Sequence, residues 1–266
     1  MSTTPARDIV QESERILKAA AQEGVVLRLF GGLAIRLHSP SATHRTLART
    51  YADIDFFGLK KQGKDIKKLF AGLGYTPREI FNALQGDRRL IFQDIENQRR
   101  IDVFLDVFEM CHHFDFRDRL RLDPMTIPLA DLLDTKLQVV EITEREYKDI
   151  IALLRDHEVG TSDAPEVING KYIADLCAED WGIYKTLTIN IANILKAMPE
   201  FGLEAAEREL VEKRIRKLLE MIESTPKSMK WKMRARVGEK KRWYELPEAD
   251  KKLVENQRGI LTGKPV

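Results

Sequence analysis

Between residues 25 and 57 the chain reads VVLRLFGGLAIRLHSPSATHRTLARTYADIDFF, and this stretch restricts the fold more tightly than any other. Residues 25–30 are a short apolar run of strand type, and Gly31-Gly32 turns it into a short helix that Ser39-Pro40 stops. A polar loop follows, then a second apolar strand carrying Asp53-Ile54-Asp55. Residues two apart in a strand share a face, so the two carboxylates point together. Like charges on one face repel unless a cation lies between them, and a divalent ion is the usual solution. Glycines opening a helix present bare amides to an anion. A phosphate cradle beside paired acids points to chemistry on a nucleoside triphosphate.

Length and charge set only wide bounds. The chain has 266 residues and a net charge of +2, enough for one large or two small domains and uninformative about partners. Cys111 and Cys177 lie far apart with no CxxC spacing, which argues against a disulfide framework or a zinc site and suits a reducing cytoplasm. The N-terminus lacks the apolar core of a signal peptide, and no apolar run approaches the roughly 20 residues of a membrane span.

Taken in order, residues 5–23 form a loose amphipathic helix with Pro5 first, Thr3 or Thr4 as its cap and Gly24 as its stop. Residues 60–73 make a second amphipathic helix, and residues 75–87 carry no clear pattern. Residues 88–95 and 99–108 read as a hairpin around Glu96-Asn97-Gln98. In its second strand Asp102, Phe104 and Asp106 share one face, which a core face tolerates only for a reason. The alternative is a solvent-exposed face at a sheet edge. Residues 128–140 and 144–157 are helices, with Lys136 on or beside the apolar stripe of the first.

Residues 158–168, mixing Gly, Ser and Pro, are the expected domain boundary, separating a core over residues 1–157 from a helical region over residues 168–266. That region has three helical stretches, at residues 168–178, 180–198 and 203–223, and then a basic segment, KSMKWKMRARVGEKKR, at residues 227–242. Its alternating apolar and basic residues fit a strand with one basic face, and bases interleaved with an aromatic are a composition nucleic-acid binders use. A solvated basic face over an acidic neighbour explains it equally well. Arg45 and Arg49, on the loop after Gly31-Gly32, could clamp a triphosphate or be solvated loop charges. The five histidines show no metal-ligand spacing and are expected to be structural or surface residues.

Strand, Gly-Gly, helix, Asp53-Ile54-Asp55 and then Arg100-Ile101-Asp102-Val103 resemble the nucleotidyltransferase superfamily with the polymerase-beta-like fold. The likeness extends to Leu132-Leu133-Asp134-Thr135-Lys136-Leu137 and Lys148-Asp149, over roughly residues 20–157. It is nearest the branch of abortive-infection type toxins and small-molecule nucleotidyltransferases. Three features depart from that pattern: Gly-Gly replaces Gly-Ser, residues 39–50 lengthen the gap to the acids, and Ala152 stands where the toxin branch has a further Asp.

The resemblance implies an α+β fold, a mixed β-sheet flanked by helices, with a C-terminal helical subdomain. It implies Mg²⁺, one ion or two, on Asp53, Asp55 and Asp102, with Asp106 kept as the rival third acid. It also implies an NTP held by the Gly31 and Gly32 amides, with Arg45 and Lys136 reaching its phosphates. The expected activity is transfer of a nucleoside monophosphate to a hydroxyl with release of pyrophosphate, RNA being an acceptor candidate through residues 227–242. The alternatives are a non-catalytic nucleotide sensor of the same fold and the toxin of a toxin–antitoxin pair.

Overall fold

The structure is a computed structural model that describes residues 4–246; Thr3 as a cap and the polar tail from Pro247 lie outside them. Five strands form one mixed sheet: β1 (Leu27–Phe30), β2 (Ile54–Gly58), β3 (Thr76–Pro77), β4 (Arg89–Asp94) and β5 (Arg99–Leu105), in the order β1-β2-β5-β4-β3. Only the β2–β5 pair is parallel; the other neighbours are antiparallel. The apolar residues of the central strands, Ile54, Phe56, Phe57, Ile101 and Val103, are fully buried, as expected for strands covered on both faces. Residues 125–127 run along the outer edge of β1, where the Leu29 amide donates to Met125 and the Ile127 amide to Leu29.

Four helices accompany this sheet in sequence: α1 (Ile9–Gln22), α2 (Gly31–His38), α3 (Gly63–Gly72) and α4 (Glu79–Gln85). A small hairpin, β6 (Val107–Glu109) with β7 (His113–Asp115), then leads to α5 (Leu129–Leu137) and α6 (Glu144–Asp156). Residues 158–168 hold β8 (Glu158–Gly160), which pairs in parallel with β9 (Val167–Asn169). Helices α7 (Gly170–Glu179), α8 (Trp181–Ala197), α9 (Ala205–Ser224) and α10 (Met229–Val237) follow. The fold is therefore α+β, a mixed sheet with helices, and buried residues from β1 to α9 join one continuous apolar cluster. No helix among the described residues is long and apolar enough to cross a membrane.

Several local expectations need correction. Helix α1 starts at Ile9, not Pro5, because the Asp8 carboxylate accepts from the Val10 and Gln11 amides and outcompetes the threonines as cap. Strand β5 lies between β2 and β4, so the face bearing Asp102 is not at a sheet edge. Asp106 has left that strand: its φ of +63° breaks the extended backbone, and its carboxylate caps the Lys60 amide at 2.9 Å. It is a turn residue rather than a member of the acid group. The basic segment is helix α10, not a strand. The Ser228 hydroxyl accepts from the Trp231 amide as its cap, and Lys, Met, Ala and Arg are strong helix formers that override the two-residue alternation.

Candidate functional site

Register brings the acids together. Asp55 sits opposite Phe30, the last residue of β1, and beside Asp102 on β5, so the two acids are cross-strand neighbours on one face. Gly31 opens α2 directly from β1 with φ of +71°, a conformation that disfavours side chains, and an added Cβ would lie 3.1 Å from Asp55 Oδ2. The helix N-terminus is thereby pressed against the carboxylate. Asp53 precedes β2 at the half-exposed rim.

The three acids differ in how their charge is met. Asp102 is fully buried; its Oδ1 accepts from Arg89 Nε at 2.8 Å and its Oδ2 from Arg100 Nε at 2.7 Å. Arg100 also approaches Asp53 at 3.5 Å. Among the described residues Asp55 has no such pair. Burial first, then the charges of Asp102 and Asp53, push its carboxyl up to about 7, with Lys136 and Arg89 pulling the other way. A proton or a cation relieves this carboxyl.

Asp53 and Asp55 are hard oxygen donors of the kind Mg²⁺ takes, and the raised Asp55 carboxyl marks where positive charge is wanted. Asp102 can act as a third ligand only by sharing an oxygen already bonded to a guanidinium. Among the described residues no group of three or more His, Cys, Asp or Glu side chains is arranged to hold a metal ion.

A cationic wall faces the glycines. Arg49 donates from Nε and Nη2 to the two oxygens of Asp149, both at 2.9 Å, and Lys136 Nζ lies 2.8 Å from Asp149 Oδ2. Asp149 on α6 thus binds Lys136 of α5 and the loop arginine together. The Arg49 guanidinium stacks 4.3 Å from the Tyr51 ring centre and fills the space where Gly32 lacks a side chain. Arg45 is exposed on the same loop, and Arg49 is the arginine that lies against the glycine turn. Asp134, part of the α5 motif, is fully buried, and burial and Asp131 hold its carboxyl well above the usual range.

The C-terminal helices fix this wall. Asn190 of α8 donates to the carbonyls of Leu137 and Val139, closing the C-terminal end of α5 beside Lys136. Arg214 of α9 does the same for α6 through the Leu154 and Arg155 carbonyls.

Sequence reasoning named Asp53, Asp55, Asp102, Gly31, Gly32 and Lys136, and the structure gathers them where β1, β2 and β5 meet α2 and α5. It offered Arg49 with Arg45 as a phosphate clamp or a solvated charge, and it did not single out Arg89, or Asp149 as the partner of Lys136. A signal favouring Arg49 over Arg45 was present: in Arg49-Thr50-Tyr51-Ala52-Asp53-Ile54-Asp55 Arg49, Tyr51, Asp53 and Asp55 alternate, as on one face of an extended run.

A Gly32→Ala change tests the wall. The new Cβ would fall 1.5 Å from Arg49 Nη2, so the guanidinium must swing out and release Asp149. Because a flexible side-chain end is displaced, the stability loss is expected to be about 1.5–3 kcal/mol, the range for losing a charged hydrogen bond. A melting curve checks this, and an unchanged midpoint would refute it.

No protein-family model, curated protein or solved structure matches this chain.

Proposed function

We propose that the protein is a metal-dependent nucleotidyltransferase that moves a nucleoside monophosphate from an NTP to a hydroxyl acceptor. The observation that carries this reading is the unpaired Asp55 carboxyl, raised to about 7 and pressed against the N-terminus of α2 beside Asp53 and Asp102. Asp53 and Asp55 would hold Mg²⁺, with Asp102 orienting Arg89 and Arg100 or lending an oxygen. When bound, the metal would neutralise charge on the triphosphate. The Gly31 and Gly32 amides would donate to oxygens of the β- and γ-phosphates, and Arg49 and Lys136, now sharing Asp149, would turn part of their hydrogen-bonding capacity to phosphate oxygens. The acceptor oxygen bonds to the α-phosphorus, the bond to the β-bridging oxygen breaks, and pyrophosphate leaves. The hydroxyl proton passes to a nearby carboxylate, which requires an acid titrating near neutrality. Two buried cysteines, Cys111 and Cys177, far apart in sequence, agree with a reducing cytoplasmic setting.

RNA is the acceptor favoured by the surface. Helix α10 and the residues after it expose Lys230, Lys232, Arg236, Lys240, Lys241 and Arg242, while Glu239 is paired with Lys185. The test is incubation of the protein with labelled NTPs, Mg²⁺ and total cellular RNA. Label transfer is expected, and RNA affinity should fall with log salt at about −0.7 per phosphate contacted. Binding without turnover would instead support a nucleotide sensor. One observation favours that second reading: both Asp102 oxygens are already held by arginines.

A further inference from the structure

Helix α10 turns an apolar stripe outward. Met229, Met233 and Val237 follow one another at four-residue steps and so share one face, where they are 70%, 59% and 43% exposed. The opposite face is the seated one. There the Trp231 ring meets the Tyr184 ring at 5.2 Å between centres, and the Arg234 guanidinium lies 4.7 Å from the centre of the Trp181 ring. The Ser228 amide donates to the Ala178 carbonyl at 3.0 Å, which fixes the start of the helix on α7. Arg234 also donates to the Gly238 and Lys241 carbonyls, at 2.8 and 2.7 Å, and so pins the turn that follows. Around the helix, exposed Lys230 borders the stripe on one side and exposed Arg236 and Lys232 border it on the other.

RNA phosphates account for the bases and leave the methionines in water, so the stripe asks for a different partner. A protein groove encloses a helix from several sides, whereas α10 offers only the half that Trp181 and Tyr184 leave open. That geometry suits a flat partner, apolar within and negative at its surface. We propose that α10 docks the protein on an anionic lipid bilayer, as a peripheral contact and not a span. Met229, Met233 and Val237 enter the boundary between head groups and acyl chains, where amphipathic helices lie in the plane of a bilayer. Lys230, Lys232 and Arg236 run their stems along the same boundary and set their charges at the anionic head groups. Lys240, Lys241 and Arg242, exposed just beyond the helix, add to the attraction. Glu239, the single acid of residues 227–242, is paired with Lys185 at 2.6 Å and opposes it little. The proposal rests on the outward face of α10 and is independent of the transferase reading, whose acids lie on other elements.

The test is sedimentation of the full chain with phosphatidylcholine vesicles and with vesicles in which about 30% of the lipid is phosphatidylserine. Binding to the anionic vesicles and little to the neutral ones is expected. Met229→Ser with Met233→Ser, both on the outward face, should weaken that binding by at least about tenfold. Lys232→Ala and Arg236→Ala should each weaken it about fivefold, and added salt should lower it further. Circular dichroism of every variant verifies folding, and the two kinds of variant are independent of each other. No binding to anionic vesicles, equal binding to neutral ones, or binding that ignores the methionines overturns the proposal. Retention of total cellular RNA by the parent and the methionine variant alike, without vesicle binding, would assign α10 to nucleic acid instead.

Discussion

Replacing Asp53 by Ala is expected to lower Mg²⁺-dependent NTP affinity by on the order of 100-fold, about 2.8 kcal/mol, while the protein stays folded. The side chain is 42% exposed and its ion pair to Arg100, at 3.5 Å, is a surface contact worth roughly 0–1 kcal/mol. The melting temperature should therefore barely move. Isothermal titration with and without Mg²⁺ measures the effect, and titrations indistinguishable from the parent protein would sink the assignment of Asp53. Asp102 is fully buried and holds Arg89 and Arg100, whereas Asp53 can be removed without breaking a buried carboxylate's ion pairs, which makes it the cleanest single change in the site.

The second large effect concerns Asp55 and pH. Burial pushes its carboxyl up to about 7 in the folded chain, against about 4 for an exposed Asp, so the native state holds one extra proton between those pH values. Stability must then fall as pH rises from about 4 to about 7, at up to about 1.4 kcal/mol per pH unit, and the loss is complete above 7. Asp55→Asn removes the titration. At pH 8 without divalent ions the variant should be more stable than the parent by a few kcal/mol, and at pH 4 the two should nearly coincide. Adding Mg²⁺ at pH 8 should stabilise the parent and leave the variant unaffected. Denaturant titrations at both pH values decide this; a variant no more stable than the parent at pH 8 would mean that Asp55 is not under charge stress. The same titration predicts that Mg²⁺ affinity falls about tenfold per pH unit below 7.

The limits of sequence reading are physical and specific. The strands of the core and most helices were legible because apolar period and glycine stops are local signals, as at Gly24 and Gly74, whose φ values are +68° and +87°. The start of α1 was misplaced because a single carboxylate, Asp8, decided between adjacent capping choices. Asp106 was misread because period-two patterning continues past β5, whereas the backbone turns left-handed there. The α10 segment satisfied both a strand alternation and helix propensity, and its cap at Ser228 resolved the choice.

What this sequence determined by itself is the donor set: a glycine turn, two acids two residues apart, a third acid in a later strand, and a lysine on a following helix. Covalent spacing alone puts Asp53 and Asp55 together, and the apolar residues around them require a buried strand. What only tertiary structure decided is how each charge is met. Asp102 is matched by Arg89 from β4 and Arg100 from its own strand, Lys136 shares Asp149 with Arg49 across 100 residues of chain, and Asp55 is left as the acid in want of a cation. Charge compensation depends on distance and burial in space, and neither is written in the spacing of residues along the chain.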